Sequence, residues 1–500
     1  MKQSQALKIM SSGASVFLTG APGAGKTYVL NQFISQARSK GEIVAITAST
    51  GIAATHIDGQ TIHSWSGIGV DTVLTASVLK RIKTRRRRAI KDTDILVIDE
   101  VSMIHAWLFD MVDQVCRSIK RSDQPFGGIQ VILSGDLFQL PPVSRTRANS
   151  DPYSMAEPSP EFLAARQCYA QEGLNPEGFI TQALCWKRLN PVICYLTEQH
   201  RQDAGELLSI LTDIRLGQTT NDDILSLSSR VGLNPDSSDL VHLFPFNRAA
   251  DALNQSQLDR IHQDEHIFLA QSAGSAQLVQ RLKKNMLAPE QLVLKEGAAV
   301  MALRNDADRQ FVNGSLGKVV GFLNRKKGGY PIVEFDNGNT VTMSPATWEM
   351  LDGEEVLAAV SQVPLRLAWG ITIHKSQGMT LDRAVMDLRR TFAPGMGYVA
   401  LSRVQSLEGL YLLGISSQAF YVSLDTIRED ALLQQMSGSH ISNLENLKDE
   451  NRQGINPQDM NPNEANLHGG IWENPQEGRG RDVEIEKYDG REEFGQGQLF

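Results

Sequence analysis

Several shortages narrow what this chain can be. No apolar run approaches the ~18 residues of a membrane span, so no bilayer-crossing helix is expected. Cysteine is scarce, with only Cys116, Cys168, Cys185 and Cys194 among 500 residues. None stands at C-x-x-C spacing, which excludes a zinc framework and a disulfide scaffold and fits a reducing cytosol. The first twenty residues carry no Lys/Arg cluster, no long apolar stretch and no cleavage site. No secretory leader is read, and the expected location is cytoplasmic, nucleoid-associated if the source is bacterial. No 20–50-residue repeat is visible. Positive charge is also short, with a net charge of −8. That argues at first against a nucleic-acid partner. Residues 437–500, however, hold thirteen Asp/Glu against six Lys/Arg, so the rest of the chain is nearly neutral. A near-neutral body can still carry a basic groove.

What remains is a soluble globular composition, 41% hydrophobic and 21% charged, with length for about two to four domains. "EIVAIT", "DILVIDE" and "IQVILSGD" are short β-branched runs ending in polar or small residues. They read as buried parallel strands separated by crossover helices, a doubly wound α/β domain over residues 1–190. Within it, residues 145–185 look like an irregular insertion. A second α/β domain is expected over 191–436, with "LVHLFPFN", "RAVMDL" and "GLYLLGIS" as strands. Inside it the period changes. Residues 296–345 read as short strands split by turn signals, including Asn-Gly at 313–314 and 337–338, hence a small antiparallel β-barrel insertion. Residues 437–500 turn polar, acidic and Gly/Asn/Gln-rich and are expected to be disordered.

The strongest local signal is "VFLTGAPGAGKTYVL", Val16 to Leu30. Gly20, Gly25, Lys26 and Thr27 complete G-x-x-x-x-G-K-[ST] after an apolar strand and before an amphipathic helix. Gly20, Ala21, Pro22, Gly23, Ala24 and Gly25 form a loop whose backbone amides can wrap an anion. Lys26 would bridge the β- and γ-phosphates of ATP, and Thr27 would ligate Mg²⁺. "DILVIDE" places Asp99 and Glu100 at the carboxyl end of a strand. Asp99 would hold the metal through water and Glu100 would activate the attacking water. Kinases, transporters, switch GTPases and motors share these two sites, so they establish nucleotide hydrolysis but not its use. His63 and His374 are set aside as metal ligands, because no third ligand is suitably spaced.

The use comes from segments in a fixed order: "ITASTGIAATHIDGQTIHSWSGIG", "ILSGDLFQLPPV", "LTEQHRQ", "AWGITIHKSQGMTLDRAV" and "GYVALSRVQSLEGLYLLG". Over about residues 3–416 they resemble the motifs of superfamily 1 DNA helicases of the 5′-to-3′ branch, most closely the Pif-type family, with RecD as a cousin. The resemblance implies two RecA-like domains with an SH3-like barrel insertion, and an ATP-dependent motor on single-stranded and forked DNA. It implies that Gln3, with Gln5 as the neighbouring alternative, reads adenine, and that Gly378 joins the nucleotide site. Gln139 resembles the γ-phosphate sensor. Arg201 and Arg403 resemble the arginines that reach the γ-phosphate from the second domain, a device that stabilises the transition state by ~4–7 kcal/mol. Thr50, His63, Trp65, His374 and Lys375 resemble the strand-facing residues, with Trp65 standing where Phe is more usual.

Arg85 to Arg88 precede the "DILVIDE" strand. They read as a solvated helix face, with a DNA-facing helix as the rival. The chain ends in Gln496, Gly497, Gln498, Leu499 and Phe500, which fit Q-x-x-L-F and resemble the peptide that docks bacterial proteins into the sliding clamp. A monomer with no membrane partner is expected. Three rival functions stand beside the helicase: a DNA-stimulated translocase that does not separate strands, a clamp-tethered adaptor without catalysis, and an RNA helicase. The intact catalytic set argues against the adaptor, and nothing in the residues reads a 2′-hydroxyl.

Overall fold

A computed structural model describes residues 1–453 apart from residues 70, 143–159, 199–204, 235–239, 287, 307, 309, 325, 327, 353 and 354. The chain divides into two units, Met1–Glu445 and Asn446–Phe500. Of the second, only the helical residues 446–453 are described.

Six strands, Val16–Gly20 (β1), Val44–Ala48 (β2), Gln60–Thr61 (β3), Ile95–Asp99 (β4), Gln130–Ser134 (β5) and Val192–Leu196 (β6), form one sheet. Their order is β3-β2-β4-β5-β1-β6 and every pairing is parallel. β1 is buried throughout and β4 is buried up to Ile98, because both sheet faces are covered. Alternation along β4 divides its side chains between the faces. Leu96 and Ile98 join the core containing Leu108, Phe109 and Val112 of helix Ala106–Lys120. Ile95 and Val97 join the core containing Val29, Leu30 and Phe33 of helix Lys26–Ser39.

The second α/β sheet has four parallel strands: Gly370–Thr372, His242–Phe244, Ala384–Leu388 and Leu410–Ile415, in that spatial order. Between its first two strands in sequence lies an antiparallel five-stranded sheet of Ala299–Ala302, Leu316–Phe322, Pro331–Phe335, Thr340–Thr342 and Leu365–Leu367, around Val300, Val319, Val333 and Phe335. The expected fold class of two doubly wound domains with a small antiparallel insertion holds.

Four details depart from the sequence expectation. β6 was expected to open the second domain at residue 191, but it pairs along β1 from Val192 to Leu196 and belongs to the first. The insertion extends beyond residue 345. Ala346–Asp352 and Glu355–Gln362 form a hairpin extended by Gln271–Gly274, and Leu365–Leu367 closes the five-stranded sheet. The irregular 145–185 segment contains helix Pro160–Gln171. Finally, helix Leu424–Gln453 runs past residue 436 into the stretch expected to be disordered. Its buried positions Thr426, Asp430, Leu433 and Ser437 recur at helical spacing. Three of the four are polar, so hydropathy did not mark the face. No helix among the described residues is long and apolar enough to cross a membrane.

Candidate nucleotide and strand site

The phosphate loop lies at the carboxyl end of β1. Gly25 caps the following helix at φ 82°, and a Cβ there would overlap the side-chain amide of Gln3. Gln3 donates from Nε2 to Ala24 O at 3.0 Å, while its backbone N–H donates to a Glu198 carboxylate oxygen at 2.7 Å. Gln5 instead accepts a local bond from Lys2 N at 2.9 Å. Of the two glutamines, Gln3 is the one against the loop. Lys26 Nζ donates to Gly20 O at 2.7 Å and Ala21 O at 3.2 Å. Burial lowers its pKa, opposed by the charges of Asp136, Glu100 and Asp99. Thr27 is exposed on the first turn of the helix.

Asp99 ends β4 and Glu100 follows in a left-handed conformation, φ 51° and ψ 47°. For a residue with a Cβ this costs about 1–2 kcal/mol, strain of the kind concentrated at functional sites. Burial first, then Asp99, raises the Glu100 pKa to about 7, while Lys26, Arg403 and a hydrogen bond from Gln377 oppose the shift. A carboxyl near neutrality is suited to accepting a proton.

The second domain closes over these groups with a residue the sequence reading did not single out. Gln377 is buried and donates from Nε2 to Glu100 Oε2 and to Gln139 Oε1, both at 3.1 Å. Its Oε1 is buried without a partner. One amide thus ties the carboxylate at the end of β4 to the residue expected to sense the γ-phosphate. The sequence signal was present in "HKSQG", but it pointed to His374, Lys375 and Gly378 and not to Gln377. Arg403 is buried on the same domain. It donates to Val399 O at 2.8 Å, Met379 O at 3.1 Å and Ser402 Oγ at 2.8 Å, and its charge reaches Glu100. Gly378, at φ 83°, is exposed beside Gln377. Arg201 lies outside the described residues.

A second missed group spans both domains. Arg215 donates to Asp136 Oδ1 at 2.7 Å, Asp430 Oδ1 at 2.8 Å and the hydroxyls of Tyr195 and Tyr398 at 3.0 Å. Tyr398 in turn donates to Asp136 Oδ2 at 3.1 Å. Asp136, in the loop after β5, and Tyr195, on β6, come from the first domain, Arg215 and Tyr398 from the second, and Asp430 from helix Leu424–Gln453. Phe138, on the loop that carries Gln139, lies 4.2 Å beneath the guanidinium. Gly395, at φ 75°, sits where a Cβ would overlap Phe138 O, so the domains meet at backbone distance here.

The strand candidates divide. Thr50 caps helix Gly51–His56, accepting from Ala53 N at 3.2 Å, and His63 is half-buried beyond β3. His374 and Lys375 are half-buried at the carboxyl end of the second sheet. Trp65 is a correction. It is 3% exposed and belongs to the core with Ile62, Ile68 and Ile82, so its ring is no platform for a base. Arg85, Arg87 and Arg88 are exposed and Arg86 is half-buried, which agrees with a solvated face. Gln496, Leu499 and Phe500 lie outside the described residues. Among the described residues no group of three or more His, Cys, Asp or Glu could hold a metal by itself. The oxygen set of Thr27 and Asp99 suits Mg²⁺, which is completed by substrate phosphates and water rather than by a protein cage.

Two family models match. One, described as a PIF1-like helicase, matches residues 2–157, and the other, described as the DNA helicase Pif1 2B domain, matches residues 277–322. A protein of Psychrobacter sp. (strain PRwf-1) named ATP-dependent DNA helicase Pif1 is 38% identical over 476 residues, covering 83% of this chain and 68% of the relative. The Homo sapiens ATP-dependent DNA helicase PIF1 is 34% identical over 422 residues, covering 84% of this chain and 61% of the relative. The chain therefore spans roughly two thirds of the length of these curated relatives. Among solved structures, the Pif1 helicase of Candida albicans matches with TM-score 0.75 and 30% identity, covering 86% of this chain and 98% of that one. The Pif1 helicase from Bacteroides in complex with ADP-AlF3 and ssDNA matches with TM-score 0.67 and 29% identity, covering 87% and 97%.

Proposed function

The chain belongs to the PIF1-like helicase family, and from that premise we propose that it is an ATP-dependent DNA helicase that moves 5′ to 3′ along single strands. The observation that carries the reading is the Gln377 amide, which bonds Glu100 and Gln139 across the domain cleft. Hydrolysis is then tied to cleft geometry, and a cleft that closes and opens once per turnover is a stroke. Thr27 and Asp99 would hold Mg²⁺, which would supply charge neutralisation at the phosphates. Gln3 lies beside the loop to read the base, and Lys26 faces the β- and γ-phosphates. Glu100 takes the proton of the attacking water. The orphaned Oε1 of Gln377 is the acceptor that orients that water beside Glu100. Gln139 senses the γ-phosphate, and Arg403, with Arg201, supplies positive charge to it from the second domain. Thr50, His63, His374 and Lys375 face the strand at the carboxyl edges of the two sheets.

The Q-x-x-L-F end suits docking into a bacterial sliding clamp, and deleting Gln496–Phe500 should abolish binding to the purified clamp. A monomer suffices, since one chain supplies both sides of the cleft.

The deciding experiment compares duplexes with a 5′ or a 3′ single-stranded tail. ATP-dependent strand displacement from the 5′-tailed duplex alone supports the proposal. Displacement from the 3′ tail alone overturns the polarity. DNA-stimulated hydrolysis with neither duplex opened favours a translocase that does not separate strands. Replacing Lys26 with Ala should abolish displacement while leaving DNA binding largely intact.

A further inference from the structure

Phe246 and Phe392 are conspicuous on the second domain because they are 45% and 54% exposed. Isolated exposed apolar residues are ordinary. These two are not isolated. Their rings lie 5.0 Å apart at 23°, and Phe392 and His374 follow at 6.1 Å and 22°. The three rings make a near-parallel ladder. They come from three separate segments: the start of helix Asn247–Arg260, the loop before helix Met396–Leu401, and the turn Ile373–Ser376.

A cationic recess lies beside the ladder. Lys375 Nζ donates to Asn247 Oδ1 at 3.2 Å, so the lysine is anchored next to Phe246. Lys375, Asn247, Asp251, Gln255 and Arg366 line a cavity of about 470 Å³. Arg366 is 13% exposed on its side chain, with the Asp251 carboxylate 3.8 Å away, and its Nε is buried without a hydrogen-bond partner. Two cations thus share one recess with one nearby carboxylate. Burial first, and then the charge of Arg366, depress the Lys375 pKa to about 8, the cost of holding a cation half-buried beside another. An anion in the recess would relieve that cost.

We propose that Phe246, Phe392 and His374 form a stacking platform for the bases of the bound single strand, and that Arg366 and Lys375 hold a backbone phosphate beside it. The inference rests on the helicase reading, which already placed His374 and Lys375 at the strand, and extends it to Phe246, Phe392 and Arg366, which no sequence motif had marked. Exposed aromatic side chains next to paired cations are the two elements a sequence-tolerant strand site requires. Placement adds a reason. His374 and Lys375 lie within the one-turn segment Ile373–Ser376, whose next residue, Gln377, reaches Glu100 and Gln139. A base or phosphate that displaces this turn moves the nucleotide site with it.

The test uses the full chain and two fluorescent probes of equal length, an oligodeoxythymidine and a tetrahydrofuran abasic oligomer that has the backbone without bases. Phe246→Leu with Phe392→Leu keeps the surface apolar and removes the rings. It should weaken oligodeoxythymidine binding by roughly tenfold or more and leave abasic binding within about twofold. Phe392→Trp in the Phe246→Leu background keeps one ring and should recover part of the lost affinity. Arg366→Gln should weaken both probes and lower the salt slope by about 0.7, one phosphate contact on a single strand. Equal loss on both probes, or none on either, overturns the platform. Thermal melting of each variant separates misfolding from lost contact, and a leucine variant that melts early is judged on its tryptophan counterpart. If the wild-type protein binds neither probe, the helicase reading fails and the platform with it. If it binds both and the variants do not differ, only the platform fails.

Discussion

Replacing Gln377 with Ala isolates the link between the two domains. The side chain makes two hydrogen bonds in this structure, to the Glu100 carboxylate and to the Gln139 carbonyl, both at 3.1 Å. A hydrogen bond to a charged acceptor contributes about 1.5–3 kcal/mol. If that bond is made as the cleft closes, its loss raises the barrier by the same amount, or ~10–150-fold in kcat. The assay is steady-state ATP turnover at saturating oligodeoxythymidine, with the strand dissociation constant measured beside it. We expect kcat to fall within that range and strand affinity to stay within about threefold, because the lost bonds face the nucleotide. The variant should also shift the acid limb of the rate profile to higher pH, since the Gln377 bond holds the Glu100 pKa down. A kcat within twofold of wild type would refute the idea that this amide couples the domains.

Other consequences follow from the same geometry. Burial raises the Glu100 pKa to about 7, and only its ionised form accepts a proton, so turnover should climb as pH rises from 6 to 8. A rate profile flat over that range would contradict the assignment. Lys375 behaves in the opposite sense. Its pKa is depressed to about 8 by burial and by Arg366, against Asp251, and His374 beside it is also pushed toward its neutral form. Strand affinity should therefore hold at pH 7 and weaken toward pH 9.5 as the ammonium loses its proton, a trend that Lys375→Met should abolish. Arg215→Met leaves Asp136 and Asp430 buried without their cation and should destabilise the fold by about 3–5 kcal/mol, read as a lowered denaturation midpoint.

Most of the nucleotide site could be read from sequence because its signals are local. Gly20 to Thr27 are eight consecutive residues, and Asp99 and Glu100 end a run of four buried apolar residues. The parallel strands were legible for the same reason, since burial on both faces writes a continuous apolar run. The failures are non-local. Nothing in "VICYL" tells whether it pairs with a strand before or after it, and it lies along β1, more than 170 residues upstream. Arg215 is a lone arginine in a helix, and only the fold brings Asp136 and Asp430 to it. Gln377 lies within "HKSQG", but its partners lie across a cleft that spacing does not reveal. Trp65 could have been read correctly: Ile62 and Trp65 are three apart on helix Ile62–Ser66, one inward face, and both are buried. The resemblance drew attention to its ring, and its helical position was the better guide.

The central claim is that the Gly20–Thr27 loop and the strand-facing surface work as one engine. The most direct measurement is ATP turnover with and without a single-stranded oligonucleotide at fixed salt, since backbone binding depends on salt. The account predicts stimulation of roughly tenfold or more, lost on Lys26→Ala and reduced on Gln377→Ala. Turnover that is the same with DNA and without it would contradict the coupling.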